Sequence, residues 1–347
     1  MPTVVKHTGK AGLLLLLLLC NWFNLTGNIP IPLENSTSLL LQELNSIFLS
    51  IVIEALPFVL VGIFVSAFIQ TFVSPELIQK LIPRHRLWGI IVSSLLGIIF
   101  PLCECGMVPI TRRLVAKGVP VSMAVSFMLA APVINPLVGL STYLAFNSSP
   151  YMAGYRLLGT FISTIVVAYL LGGNSRPNSV LSGIGHHSYC GHDHDQNCNH
   201  KHGLLAKLNA MSAHACEEFF DMGRFLLIGS FLAALCQGFI PRTALLAFGQ
   251  DSFLSVLSMM SFAFVISVCS QADAFIAAPF LTSFTPGAVT AFLILGPMLD
   301  IKNTLMLFSG FKPWFVMKLI LLIVCMVFAV SMSINIFPQV WTVIIGG

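Results

Sequence analysis

"PLCECG", Pro101 to Gly106, sets two thiols and a carboxylate inside an apolar run from Leu87 to Ile110. The reading of that run decides the fold. As a simple span it would separate two basic groups, "PRHR" (Pro83 to Arg86) and "RRLVAK" (Arg112 to Lys117), onto opposite sides of a membrane. Basic loops collect on the cytoplasmic side, which opposes that arrangement. A chain that enters, turns near Cys103–Gly106 and leaves by the same face puts both groups in the cytoplasm. Pro101 lacks an amide proton and disfavours helix at Phe100, and with Gly106 and Pro109 it supplies the breakers for such a turn. The run therefore reads as a re-entrant hairpin, whose non-helical backbone must be covered by protein or by a watery cavity. The alternative is a bundle of ordinary spans, and it leaves the charge asymmetry unexplained.

Outward from the hairpin, 56% of the 347 residues are apolar and 9% are charged. Several apolar runs exceed the roughly 18–20 residues that cross a bilayer. This is the pattern of a polytopic membrane protein whose core is built from bilayer-embedded helices, with the lipid bilayer as its first partner and no room for a soluble catalytic domain. The net charge of +4 lies in short loops, so it is a topology signal and does not point to nucleic acid. Nine scattered cysteines, most in predicted helices, do not form a secreted disulfide framework. No tightly bound cofactor is expected.

Residues 1–38 hold Lys6 and Lys10 before "AGLLLLLLLC", which reads as a signal peptide or a signal anchor, then a polar lead-in. Apolar spans are expected at about Leu39–Val73, Val119–Phe146, Ala153–Gly172, Met222–Phe239, Gly287–Phe308 and Pro313–Ile336, with interrupted apolar regions at 87–117 and 252–285. The two halves resemble each other at a shift of about 166 residues. "EALPFVLVGIFVSAFIQTF" from Glu54 pairs with "DMGRFLLIGSFLAALCQGF" from Asp221. Cys103 falls on Cys269, Pro120 on Pro286, and "APVIN" (Ala131 to Asn135) on "GPMLD" (Gly296 to Asp300). The predicted fold is all-α, with two internal repeats of about three spanning helices plus a broken hairpin each, at 39–172 and 221–347. A His/Cys-rich linker with an amphipathic segment, 173–220, joins them. An odd number of crossings per half makes the repeat inverted, as in many secondary transporters. Lys80, Arg84, Arg86, Arg112, Arg113, Lys117, Lys201, Lys207 and Lys312 then share the cytoplasmic face, leaving Arg156 and Arg242 outside.

In an extended segment Cys103 and Cys105 project to one face, where two thiolates suit a soft ion such as Cu(I), Zn(II) or trivalent arsenic. Read without function, they are small buried hydrophobes. The mirror segment "VCSQADAF" offers Cys269, Ser270, Gln271 and Asp273. Charges at membrane depth are costly and usually face a pathway, so Asp273, Glu54 and Asp221 are candidates for proton coupling. Asp221 has Arg224 as an alternative partner. Asn135 and Asp300 each follow a proline in a broken segment, where transporters place substrates. With Cys103, Glu104, Cys105, Cys269, Ser270, Gln271 and Asp273 they make up the predicted substrate pathway.

The linker "GHHSYCGHDHDQNCNHKHG", Gly185 to Gly203, carries six of the nine histidines. His186, His187, Cys190, His192, Asp193, His194, Asp195, Cys198, His200 and His202 form a flexible tract suited to sequestering a transition metal.

"PLCECGMVPITRRLVAKGVPVSMAVSFMLAAPVINP", "CSQADAF" and "LGPMLDIKN" resemble the ArsP-like predicted permeases, which include organoarsenical efflux permeases. The resemblance covers roughly residues 39–338. It implies that Cys103 and Cys105 handle a soft substrate, although Glu104 stands where a small residue is expected. The His-rich linker looks like the branch regarded as copper and zinc efflux transporters. The sequence contains no Walker motif and no His-Glu-x-x-His, so the reading is a secondary transporter and not an enzyme. It exports Cu and/or Zn across a bacterial inner membrane on a proton gradient, with the linker in the cytoplasm. The alternatives are efflux of trivalent organoarsenicals or arsenite, and a membrane metal sensor or chaperone without transport.

Overall fold

The computed structural model describes residues 35–72, 85–99, 102–172, 180–182, 204–239 and 251–338. The leader, Pro101, Lys80, Arg84, Arg242 and the whole His/Cys-rich tract lie outside these. Internal contacts divide the chain after Ser50, and every contact discussed below lies within the unit from Ile51 onward.

The chain is helical, and its first half holds α1 (Asn35–Phe72), α2 (Arg86–Leu95, continued as a tighter turn over Leu96–Ile98), α3 (Glu104–Ala116), α4 (Val121–Ala130), α5 (Pro136–Ala145) and α6 (Pro150–Leu171). The second half holds α7 (Leu204–Phe239), α8 (Ser252–Ile266), α9 (Asp273–Ala277, continued over Ala278–Thr282), α10 (Pro286–Met298), α11 (Ile301–Gly310) and α12 (Pro313–Ile336). Among the described residues the only β pairing is an isolated bridge between Leu181 and Phe311.

Among the described residues, five helical segments can cross a bilayer by length and composition: Gln42–Thr71, Pro150–Leu171, Glu218–Gln237, Pro286–Gly310 and Pro313–Ile336. Six were expected. The missing one, Val119–Phe146, is two ten-residue helices, α4 and α5. Each rises about 15 Å, half the hydrocarbon thickness. The interruption is local chemistry: the chain turns over Ala131–Asn135, the Asn135 side chain accepts from the Val138 amide at 3.0 Å, and Pro136 starts α5 where its missing N–H costs nothing. The α10–α11 break has the same construction. Leu299 is extended after Pro297, and Asp300 accepts from the Asn303 amide. The expected boundary at 220/221 falls inside α7, which runs unbroken across it.

These broken segments fill the centre. All ten residues of α4 are buried, and Pro286–Gly310 is 83% buried against 33–50% for the other long helices. α4 packs on α2, α3 and α6, while α10 packs on α8, α12 and α6. Outward faces carry Phe64, Phe68, Phe231, Trp314 and Leu321, a surface suited to lipid and unsuited to water.

α1 meets α3 backbone to backbone at Gly62 and Gly106. A Cβ on Gly62 would sit 2.5 Å from the Gly106 Cα, so only glycine permits this approach. Gly62→Ala is expected to push α3 away and to cost roughly 1–3 kcal/mol as overpacking, read as a lowered midpoint in thermal unfolding of detergent-purified protein. An unchanged midpoint would show that the two helices separate freely.

Candidate functional site

α3 begins at the opening motif. Cys103 is the extended residue before the helix (φ −80°, ψ 166°), and Glu104 and Cys105 are already helical. The fully extended Cys-Glu-Cys segment expected from the sequence is therefore half right. The thiols still meet, because a residue capping a helix directs its side chain over the second and third helical positions. Cys105 is the second, which brings its thiol close enough to that of Cys103 for the two to interact. Both are buried.

In the second half the chain turns at Ser267, whose φ of +47° is left-handed, a conformation that ends α8 sharply. Backbone amides of Ala272 and Asp273 then bond to the Cys269 carbonyl at 3.1 and 3.0 Å, holding residues 269–273 in a turn. The Cys269 thiol lies near the Glu54 carboxylate of α1 and interacts with it.

The two turns converge. A small cavity of about 20 Å³ is lined by Phe58, Leu102, Cys103, Asn135, Cys269, Ser270 and Gln271. Five residues of the predicted pathway thus share one space, and Cys105 is not among its lining. Its volume admits a bare ion or a water, whereas pockets for organic ligands run to several hundred Å³.

Glu104, Asp273 and Asp300 do not line the cavity and instead enter buried ion pairs. Arg156, expected at the outer face, is fully buried and grips Asp273 with both ends of its guanidinium, Nη1 to Oδ1 at 2.9 Å and Nη2 to Oδ2 at 2.7 Å. It also donates to the Ser270 carbonyl and to Thr142 Oγ1, each at 2.9 Å. The first half of the chain so holds the tip of the second hairpin. The converse contact is Lys302 on α11, whose ammonium lies 3.2 Å from Glu104 Oε1 and 3.5 Å from Asp300 Oδ2.

Arg156 and Lys302 were missed as site residues, and so was Glu218, a buried carboxylate that accepts from Ser66 at 2.9 Å and pairs with Arg113 at 3.5 Å. A signal was present for Lys302: a lone lysine two residues after Asp300 in an apolar run is as costly as the aspartate and needs a partner. Asp221 pairs with Arg224 at 3.5 Å on an exposed face. Cys236 is half-buried and Cys325 is exposed.

No group of three or more His, Cys, Asp or Glu side chains is placed to hold a metal among the described residues.

Residues 40–336 match the family described as "Predicted permease", ArsP_1. The chain belongs to this permease family. The permease is 44% identical over 294 residues to "UPF0718 protein YcgR" of Bacillus subtilis, an alignment covering 84% of this chain and 97% of the relative. It is 40% identical over 291 residues to a Streptococcus mutans protein named "Putative two-component membrane permease complex subunit", covering 82% and 94%. No solved structure matches. The permease is thus a multi-pass membrane transporter by family and by its apolar helices.

Proposed function

We propose that this permease exports a soft transition-metal ion, copper or zinc, across the bacterial inner membrane on a proton gradient. The observation that carries the reading is the Cys103 thiol at a cavity of ionic size, with the Cys105 thiol as its near neighbour. Soft thiolates bind such ions, and a two-thiol position can also release them. The cavity size favours a bare ion over an organoarsenical.

The transport mechanism is alternating access between two inverted repeats. In support, Arg86, Val121, Pro136 and Pro150 open helices in the first half, and Ser252, Pro286, Ile301 and Pro313 open helices in the same order at a shift of about 166 residues. Each hairpin tip faces the cavity, and each is held by a cation from the other half. Among the carboxylates expected to couple proton entry, Glu54 is best placed through its contact with Cys269, whereas Asp273 is held by Arg156 and Asp221 faces outward.

A strain lacking the gene is expected to accumulate copper or zinc and to become sensitive to that metal. Unchanged metal content and growth across copper, zinc, cadmium and arsenicals would overturn the reading.

In this scheme the His186–His202 tract is a cytoplasmic collector. Imidazoles on a low-complexity tract raise the local metal concentration but do not line a membrane path. Its deletion is expected to weaken resistance at low metal and to leave uptake into everted vesicles near normal at saturating metal. Loss of uptake at saturation in folded protein would make the tract part of the route.

A further inference from the structure

The Lys302 ammonium is surrounded by oxygens from three segments that are distant in sequence. Glu104 Oε1 at the start of α3 lies at 3.2 Å, Asp300 Oδ2 before α11 at 3.5 Å, and the Ser267 carbonyl at the end of α8 at 3.5 Å. All four residues are buried. Two carboxylates against one ammonium leave an excess of negative charge away from water, and that excess is not satisfied locally. Glu104 Oε2 makes no hydrogen bond, and neither do the buried Asn303 Oδ1 and Ser267 Oγ of the same segments. The same Glu104 Oε1 that meets Lys302 is 3.9 Å from the Cys105 thiol. The ammonium therefore sits one carboxylate away from the paired thiols, where a positive charge is already provided for.

We propose that Lys302 is a tethered cation that competes with the transported metal ion for Glu104. This rests on the reading of Cys103 and Cys105 as metal ligands. When a metal ion reaches the thiols, Glu104 turns from the ammonium to the metal and Lys302 retreats onto Asp300. When the ammonium returns, Glu104 is withdrawn and the metal is left with two thiols alone. At Glu104 it is an exchange of one cation for another, while the protons that the Cys103 and Cys105 thiols give up on binding metal are released separately to solvent. A competitor on a short tether acts at an effective concentration of about millimolar or above, which keeps the site from holding its cargo too tightly. A conducting site needs that weakness, because an ion bound too well does not leave. Lys302 thus sets the affinity and the release rate while remaining outside the ligand set.

The test is Lys302→Met in everted vesicles with Cu(I) or Zn(II) supplied alone. The variant is expected to lower KM at least tenfold and to lower kcat with it, since the metal now keeps Glu104. Lys302→Arg, which restores a cation, is expected to return both values toward wild type. Adding Glu104→Gln to Lys302→Met is expected to abolish the gain in affinity. An unchanged or raised KM in folded Lys302→Met, with wild type transporting normally, overturns the competition and leaves the thiol site standing. Wild-type vesicles that move neither metal overturn both. Removing the lysine leaves buried carboxylates unpaired, so a measurement on the unaltered protein stands beside it. The Glu104 carboxylate stretch in infrared difference spectra, identified by its loss in Glu104→Gln, is expected to shift on metal saturation as the carboxylate passes from the ammonium to the metal. A Glu104 band unchanged by metal overturns the proposal.

Discussion

Everted vesicles carrying Cys103→Ser or Cys105→Ser are expected to accumulate no more metal than vesicles without the protein, at matched protein levels and with an imposed pH gradient. A hydroxyl is close to a thiol in size and is a poor ligand for soft ions, so the loss arises in the site and not in the fold. Because Cys103 stands at the helix cap and Cys105 two residues inside, neither thiol replaces the other. Cys236 and Cys325, on the flank and surface of the bundle, serve as controls. Their serine variants are expected to change stability by no more than about 1–2 kcal/mol and to transport normally. Cys269 is expected to be intermediate, since it lines the same cavity as a single thiol engaged with Glu54.

Arg156→Met is expected to be the most destabilising single change in the described fold. It leaves the Asp273 carboxyl buried without its partner, and strips the Ser270 carbonyl and Thr142 hydroxyl of their donor. Removing one partner of a buried pair costs roughly 3–5 kcal/mol, whereas replacing both by apolar residues often costs far less. Thermal unfolding in detergent should therefore show a large drop for Arg156→Met and substantial recovery for Arg156→Met with Asp273→Leu. If the double variant is as unstable as the single one, the guanidinium acts through packing and not through its charge. Transport is expected to stay low in the double variant, because the pair fixes the tip carrying Ser270 at the cavity.

Much of this architecture is legible in the residue order, where local rules act. Composition gives the membrane class, and prolines with Asn135 and Asp300 as caps give the broken helices, since a cap and the amide it binds are three residues apart. "CEC" is legible as a paired-thiol site, but its geometry is not, because an extended strand and a helix cap both bring two such thiols together. The ion pairs are another matter. Arg156 and Asp273 are 117 residues apart and Lys302 and Glu104 are 198 apart, so nothing local assigns either partner. Charge counting placed Arg156 outside the membrane because an isolated arginine is costly within it. Cys325 is exposed although it lies in a long apolar helix. In a bilayer the outward face is as apolar as the inward one, and hydropathy then carries no period to separate them.

The central claim is that the transported metal is held by the Cys103 and Cys105 sulfurs. X-ray absorption at the metal edge, on protein lacking His186–His202 and loaded with one equivalent of Cu(I) or Zn(II), reads those ligands directly. The predicted spectrum has a sulfur shell of two scatterers at about 2.3 Å that disappears in Cys103→Ser with Cys105→Ser. A spectrum of nitrogen and oxygen neighbours alone, identical in the two proteins, would contradict the account.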